Sequence, residues 1–488
     1  MGIVINQSIK NTVITYIGFA IGAVNALFMY TNFLGKTYYG LTAFLLSSAN
    51  IMMPLMAFGV HNTLVKFYSN HKTDEEKARF LTFMLLLPLL LVIPISLIGV
   101  FAYDEIAIWL SDTNPIIHDY VWLIPVTALF MGYFEIFYAW VKVHMLSVFE
   151  SFVKEIFLRI LISSFLFAVY LNWISAEEFV YITVGIYFVT TVVMAFFAFR
   201  TRLPASTFHF PDNTKEIITY SVFILLSGSI AVLLLDIDKF MLGKYIQIEN
   251  VAYYSVAIFI ATVVAVPSRA MHQITYPLTA KLMSDEKHDE LNDLYKRTSV
   301  SLQFVGGYVL LGILVNIQSI YELIPPEYSG GIFVVFAIGF SKYLDLILGN
   351  NNAIIFNSKY YRAVLFLGLL LAMSAVALNM YLIPRFGIDG AAIATLIAIT
   401  LYSLAKLMFV VFKMKLFPFT RATLYSFAIL LVTFTLFYFW DFPIHPLLNI
   451  GMKSVLLSIF YIGLNYWLVI SPDVNLVIDQ IIKKLRLF

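Results

Sequence analysis

Long apolar stretches alternate with short polar ones along the whole chain, and each stretch is about the length of a bilayer crossing. A helix needs about 20 mostly apolar residues to traverse a hydrocarbon core of roughly 30 Å. Fourteen segments approximate that length: 10–32, 38–66, 80–102, 120–142, 153–172, 178–199, 217–238, 250–272, 298–320, 331–353, 362–383, 388–412, 422–440 and 450–471. The breaks between them carry charges or turn formers, as in NHKTDEEKAR (70–79), SDTNP (111–115), RTRLPASTFHFPDNTKE (200–216), IPPEYSGG (324–331) and PRFGIDG (384–390). One lysine precedes the first span and thirteen more spans follow, so it reads as an uncleaved helix rather than a signal peptide. The pattern predicts an all-α polytopic membrane protein.

Composition agrees. The 488 residues are 61% hydrophobic and only 12% charged, with a mean hydropathy of +0.87. Soluble domains carry about a quarter charged residues, so lipid must solvate most of this surface. The net charge of +2 is dispersed, with no basic patch of the kind that tracks nucleic-acid phosphates. Cysteine is absent, which excludes disulfides, thiolate metal sites and a cysteine nucleophile. The eight histidines include no pair closer than ten residues, so no local two-histidine metal motif exists, and no Gly-x-Ser-x-Gly occurs. Basic residues then set the orientation. With the N-terminus inside, 22 of the 31 Lys and Arg fall on inner connections, 5 on outer ones and four within spans, which predicts cytoplasmic termini.

An internal repeat is visible. Leu34-Gly35-Lys36 and Leu242-Gly243-Lys244 each close a span on the outer side. Each is followed by a long span broken by a proline, Pro54 or Pro267, with His61 or His272 just beyond. A six-span period of this kind relates two halves that face the same way, as in parallel-repeat transporters. The expected organisation is a six-helix lobe at 1–210, a second at 211–418, and an accessory helix pair with a cytoplasmic tail at 419–488. Gly35-Lys36-Thr37 is not a P-loop, because Tyr30 stands where the earlier glycine is needed and no strand precedes it. Small residues at Gly18, Gly22 and Ala26 share one face of the first span, a spacing that permits close helix approach. Pro88, Pro94 and Pro125 are candidate hinges. The segment SDEKHDELNDLYKR (284–297) and the tail 475–488 read as amphipathic cytoplasmic pieces.

The remaining ionisable residues point to chemistry, because charge within a membrane is costly and usually functional. Lys342 lies eleven residues into its span, about 16 Å deep at the helical rise, and Asp345 one turn on could neutralise it. It reads either as a structural ion pair or as a cation lining a hydrated cavity. Arg269, with His272 three residues on, sits about 27 Å along its span. It either snorkels to headgroups or, if Pro267 breaks the helix, faces a cytoplasmic vestibule. Arg159, Lys406, Lys66 and Lys142 lie at similar inner depth. Such a tier suits an anionic ligand, since guanidinium matches phosphate bidentately, although positive-inside bias alone would also place cations there. Glu135 stands without a partner in its own helix, Lys142 being two turns away, and reads either as a proton site or as a protonated or cross-helix-bonded structural residue. Asp236 and Asp238 either bind H⁺ or Na⁺ or cap a helix end.

PRFGIDGAAIATLIA (384–398), preceded by NSKYYR (357–362), together with FLGKTYYG (33–40) and DKFMLGKY…AYYSVA (238–257), resembles the polysaccharide-biosynthesis oligosaccharide flippases of the multidrug/oligosaccharidyl-lipid/polysaccharide (MOP) exporter superfamily. The resemblance runs over essentially the whole chain. It implies fourteen helices, two six-helix lobes in a V around a central, often cationic cavity, and a final helix pair. It also implies transfer of undecaprenyl-diphosphate-linked sugars from the inner to the outer leaflet of the cytoplasmic membrane, for O-antigen, capsule or exopolysaccharide. Such a flippase is not an enzyme and needs no cofactor beyond H⁺ or Na⁺ coupling. It works as a monomer on a polyprenyl-diphosphate-linked glycan, among membrane lipids, beside glycosyltransferases and a polysaccharide polymerase, with no nucleic-acid partner. One departure stands out. Many members carry an arginine before the Leu-Gly closing span one, where this chain has Asn32 in MYTNFLG. Pyrophosphate would then fall to other cations, with Arg269, Lys342 and Arg159 first and His272, Lys66 and Lys406 beside them. A multidrug antiporter with acidic cavity determinants and a membrane glycosyltransferase or polymerase are the alternatives. The outer connection at 103–119 has no basic residue, which disfavours the enzyme.

Overall fold

The computed structural model describes residues 2–144, 147–208, 210–360 and 362–485. Among these the regular structure is entirely helical. Among the described residues ten helices are long and apolar enough to cross a membrane by length and composition, so the protein is a multi-pass membrane protein. Two of the ten, Val13–Ala57 and Phe366–Met414, are 45 and 49 residues long, about twice what one crossing takes. Each contains a glycine with positive φ, Gly35 (74°) and Gly387 (57°), where the apolar run is interrupted. The chain packs as two compact units, Met1–Ser255 and Val256–Phe488.

In the first unit α1 (Gly2–Val24) continues into a π-helical turn (Asn25–Leu34), then α2 (Gly35–Ala57) and α3 (Val60–Phe67). Pro54 sits inside α2 without ending it. The expected break falls four residues later, at Phe58 and Gly59, which both have positive φ. There the chain passes close to the next helices, and Thr63 shares a buried 2.8 Å hydrogen bond with Ser221. Next come α4 (Asp74–Leu86), α5 (Leu89–Phe101), α6 (Tyr103–Ser111), α7 (Leu123–Val143), α8 (Ser147–Phe152), a π turn (Val153–Phe157), α9 (Leu158–Tyr170), α10 (Ala176–Thr201) and α11 (Thr214–Tyr245). The polar breaks supply the helix starts. Thr73 and Glu76 exchange side chain and backbone bonds as a capping box, and Ser175 and Glu178 repeat it, each satisfying orphan N–H groups of a first turn. The core gathers Phe67, Phe80, Met84, Ile136, Trp140, Met194 and Ile217 from α3, α4, α7, α10 and α11. Asn114 fastens the turn after α11: its amide donates to Gly243 O (2.7 Å) and Ile246 O (2.8 Å) and accepts from Ile248 N (2.9 Å).

α12 (Glu249–Thr262) spans the junction of the two units. The second unit then holds α13 (Val266–Ser284), α14 (His288–Val315), α15 (Ile317–Glu322), α16 (Ile332–Leu346), α17 (Asn351–Phe356), α18 (Arg362–Phe409), α19 (Arg421–Tyr438), α20 (Pro446–Trp467) and α21 (Pro472–Leu485). A 3-10 turn at Val263–Ala265 ends α12, and Pro267 lies in the first turn of α13, where its missing N–H costs nothing. α14 is the axis of this unit and packs against α13, α16, α19 and α20. Polar pairs stitch the last two long helices to it: Gln303 to Thr423 O (3.0 Å), Tyr308 to Ser458 (2.7 Å) and Tyr461 to Phe304 O (3.1 Å). Of the charged segment expected at 284–297, residues 288–297 form the start of α14, where Arg297 bonds Asp473 of α21. Exposed Leu476 and Val477 mark the apolar face of α21; positions 486–488 of the expected amphipathic tail lie outside the described residues.

Gly18 of α1 is a packing position. A Cβ built on Gly18 would lie 2.5 Å from the Glu155 carbonyl oxygen, so only glycine lets α1 meet the π turn at this distance. The Gly18 carbonyl in turn accepts a 2.6 Å bond from Arg159. Gly18→Leu should therefore lower the thermal unfolding midpoint of the detergent-purified protein, by an overpacking cost of about 1–3 kcal/mol. Gly185→Ala, where nothing lies within 4 Å, should leave it unchanged.

Candidate functional site

Besides an open pocket of about 540 Å³ at Lys36, Asn114 and Glu249 in the first unit, two cavities among the described residues, one in each unit, collect charged residues that the apolar spans could not leave in lipid. The cavity of the second unit is small, about 40 Å³, room for a water or two. It is lined by Ser268 and His272 from α13, Lys342 and Asp345 from α16, Asn351 and Asn352 from α17 and Lys406 from α18. Lys406 is only 1% exposed. Its ammonium lies 2.8 Å from Asp345 Oδ1 and 3.2 Å from Asn352 Oδ1, and 4.3 Å from the centre of the Tyr402 ring. The Asp345 carboxylate is half exposed and so joins a buried cation to an accessible edge.

Asp345 forms its direct ion pair with Lys406, and Lys342, which shares the cavity, also acts on it by charge. His272 stacks on Tyr276 at 5.0 Å. Arg269 lies three residues before His272 in α13 but is exposed. The residues from Asn350 to Asn352 were not singled out from sequence. Asn350 bonds Thr279 (2.7 Å) and Thr298 (3.2 Å), and Asn351 bonds the Tyr295 hydroxyl (2.7 Å). Three successive asparagines in a greasy chain were the available signal.

The cavity of the first unit is larger, about 230 Å³. Asn50, Glu135, Lys154, Glu155, Arg159, Tyr187 and Thr190 supply its polar lining. Glu135 does have a partner: Lys154 reaches it at 2.6 Å across the helix interface. Arg159 pairs with Glu155 at 3.1 Å and donates to Gly18 O. Two cations and two carboxylates therefore face one space, with Lys154 also 4.8 Å from the Tyr138 ring centre. The charges nearly cancel.

The other residues singled out from sequence lie outside both cavities. Lys66 is exposed and stacks 3.8 Å from the Tyr220 ring centre, and Lys142 is exposed at the end of α7. Asp236 pairs with Lys239 at 3.0 Å, and Asp238 accepts from the Tyr254 hydroxyl. Among the described residues no group of three or more His, Asp or Glu is placed to hold a metal ion.

The pairing of buried Lys406 with half-exposed Asp345 makes an asymmetric prediction. Asp345→Asn leaves the Lys406 charge buried and uncompensated, and should destabilise the protein by about 3 kcal/mol. Lys406→Met removes that charge and should cost less, and adding it to Asp345→Asn should recover most of the loss. Thermal unfolding of the three variants in detergent checks the order.

Comparison with known proteins places this architecture. Residues 5–283, more than half of the chain, match the family model described as polysaccharide biosynthesis protein. The probable flippase AglR of Haloferax volcanii is 27% identical over 178 residues, covering 34% of this chain and 36% of the relative. The match thus spans about a third of that relative's length. Among solved structures, lipid II flippase MurJ in an inward closed conformation superposes with a TM-score of 0.73 at 15% identity, covering 95% of this chain and 100% of the other. An inward-facing MATE family multidrug resistance transporter of the MOP superfamily gives 0.62 at 13% identity, covering 82% and 97%. A further MOP superfamily transporter, from Pyrococcus furiosus and described as having a binding pocket of reversed polarity, gives 0.56 at 13% identity, covering 83% and 94%. The chain accordingly belongs to the polysaccharide biosynthesis protein family, and its fold is that of the MOP superfamily transporters.

Proposed function

We propose that the protein is a flippase that carries undecaprenyl-diphosphate-linked oligosaccharide from the inner to the outer leaflet of the cytoplasmic membrane by alternating access, for surface polysaccharide assembly. The observation that carries this reading is the placement of cations on polar cavities in both units: Lys342 and Lys406 in one, Lys154 and Arg159 in the other. Lys406 and Arg159 are held in fixed ion pairs and position the cavity walls. Arg269 is exposed and available to a headgroup, and Lys342 lines the cavity of the same unit from α16. A diphosphate bears the opposite charge and accepts several charge-assisted hydrogen bonds at once.

The lipid tail stays in hydrocarbon while the sugars cross among polar groups such as Asn352 and Ser268. Transport bias has to come from a difference in affinity between the two access states, since equal binding shifts nothing. Both termini lie in the cytoplasm on this reading, in keeping with the 22 basic residues on one set of connections. The chain divides functionally into the six-helix segments 1–210 and 211–418 and a final pair, 419–488, that borders the lipid tail's path. A glycosyltransferase and a polymerase act before and after it. The MATE likeness keeps a second reading open, cation extrusion, supported by the carboxylates Glu135, Glu155 and Asp345 on the same cavities. Drug susceptibility on deletion would favour that reading.

Reconstituted into vesicles with undecaprenyl-diphosphate-linked glycan, Lys342→Ala and Arg269→Ala should each slow flipping at least about tenfold, the loss of roughly 1.4 kcal/mol of headgroup binding. Unfolding midpoints should stay near wild type. Full flipping by both variants contradicts the site. Raising the salt concentration should weaken substrate binding, because part of the attraction is a screened charge interaction.

A further inference from the structure

Among the described residues, Glu150 is the acid of the first unit that burial most isolates. It lies in α8, in the connection between the spans expected at 120–142 and 153–172, and is only 2% exposed. Its Oε2 is buried and finds no hydrogen-bond partner among the described residues. A buried carboxylate oxygen left unpaired is costly while it carries charge. No described cation closes the gap. Lys154 is already committed to Glu135 at 2.6 Å, and Lys142 is exposed.

Glu150 nevertheless stands among charges. Lys142 and Glu135 from α7 and Lys154 from the following π turn act on it by charge, and the Tyr138 hydroxyl of α7 donates to its carboxyl, leaving Oε2 as the oxygen without a partner among the described residues. α1 also packs on α8, and the titratable residues of α1 are Lys10 and Tyr16. His61 of α3 belongs to the same cluster: Glu135 and Lys154 act on it as well, and its Nδ1 is likewise buried without a partner. Two orphaned polar atoms therefore flank a single Glu135–Lys154 pair, and that pair lines the larger cavity.

We propose that Glu150 is a proton-binding site whose charge sets the affinity of the first unit's cavity for an anionic headgroup. The step is one proton from solvent onto one carboxylate oxygen, with no other bond changed. With Glu150 ionised, Lys142, Lys154, Glu135 and Glu150 sum to zero charge; with it protonated they sum to plus one. A diphosphate is then attracted more strongly, and by reciprocity a bound diphosphate raises the proton affinity of Glu150 by the same factor. Burial is the largest influence on this carboxyl and pushes it up to about 7, with Lys142 and Lys154 opposing and Glu135 assisting. The site thus changes charge near neutral pH. The ligand class rests on the flippase reading; the proton site does not.

Infrared difference titration of the full chain in lipid nanodiscs reads both parts. The expected result is a carboxylic-acid carbonyl band that disappears with a midpoint near pH 7, is absent in Glu150→Gln, and shifts to higher pH when undecaprenyl diphosphate is added. Lys142→Met, at an exposed position, should raise the midpoint by removing an opposing cation, and tests the assignment if Glu150→Gln does not fold. A band unaffected by both substitutions, or no band near pH 7, overturns the site. A band removed by Glu150→Gln but unmoved by undecaprenyl diphosphate overturns the link to the headgroup, and this outcome is separable from a loss of flipping in vesicles.

Discussion

The structure is organised around one constraint: charge at membrane depth has to be compensated by protein, because lipid cannot do it. Lys406 shows the constraint in its plainest form. It is fully buried, and Asp345, Asn352 and the Tyr402 ring surround its ammonium. Each partner comes from a different point in the sequence, so the interaction fixes α16, α17 and α18 relative to one another. Arg159 does the same in the first unit, tying Glu155 and the Gly18 carbonyl into one assembly. A buried ion pair is weak evidence for stability. Its value is that it leaves polar, solvated walls in an otherwise apolar protein.

Those walls differ between the two units. The cavity of the second unit is narrow and lined by amides as well as by Lys342, Asp345, His272 and Lys406. The cavity of the first unit is larger and nearly neutral, with paired carboxylates and cations. A neutral cluster is sensitive to a single proton in a way that a strongly charged one is not. Glu150, buried beside it, is placed to supply that proton. Anion binding and proton binding then become two readings of one local charge.

Much of the architecture was legible along the chain. Helix α7 (Leu123–Val143) and helix α10 (Ala176–Thr201) fall within a few residues of the spans read from hydropathy, because in lipid every apolar run of sufficient length must satisfy its own backbone. Of the small residues at Gly18, Gly22 and Ala26, Gly18 meets the close approach that the spacing suggested. Partners were not legible. The one cation in Glu135's own helix, Lys142, lies two turns away, and Lys154, nineteen residues on, reaches it from another element instead. Asp345 lies one turn from Lys342 but pairs with Lys406, sixty-one residues away. Such pairs depend on which helix faces meet, which no local spacing specifies. The break at Phe58 and Gly59 was hidden for a similar reason: Pro54 is the stronger local signal, but the turn is set by contact with Ser221. Glu150 escaped notice because its burial arises only when α1 and α7 close over α8.

The central claim is that these cations receive a phosphate-bearing lipid, and headgroup dependence tests it most directly. Native mass spectrometry of the purified protein, titrated in parallel with undecaprenyl diphosphate and with undecaprenol, compares two ligands that share a tail and differ in charge. The account predicts that the diphosphate is retained, that added salt weakens its retention, and that undecaprenol is lost. Equal retention of both lipids would mean that the tail alone is recognised, and would contradict the account.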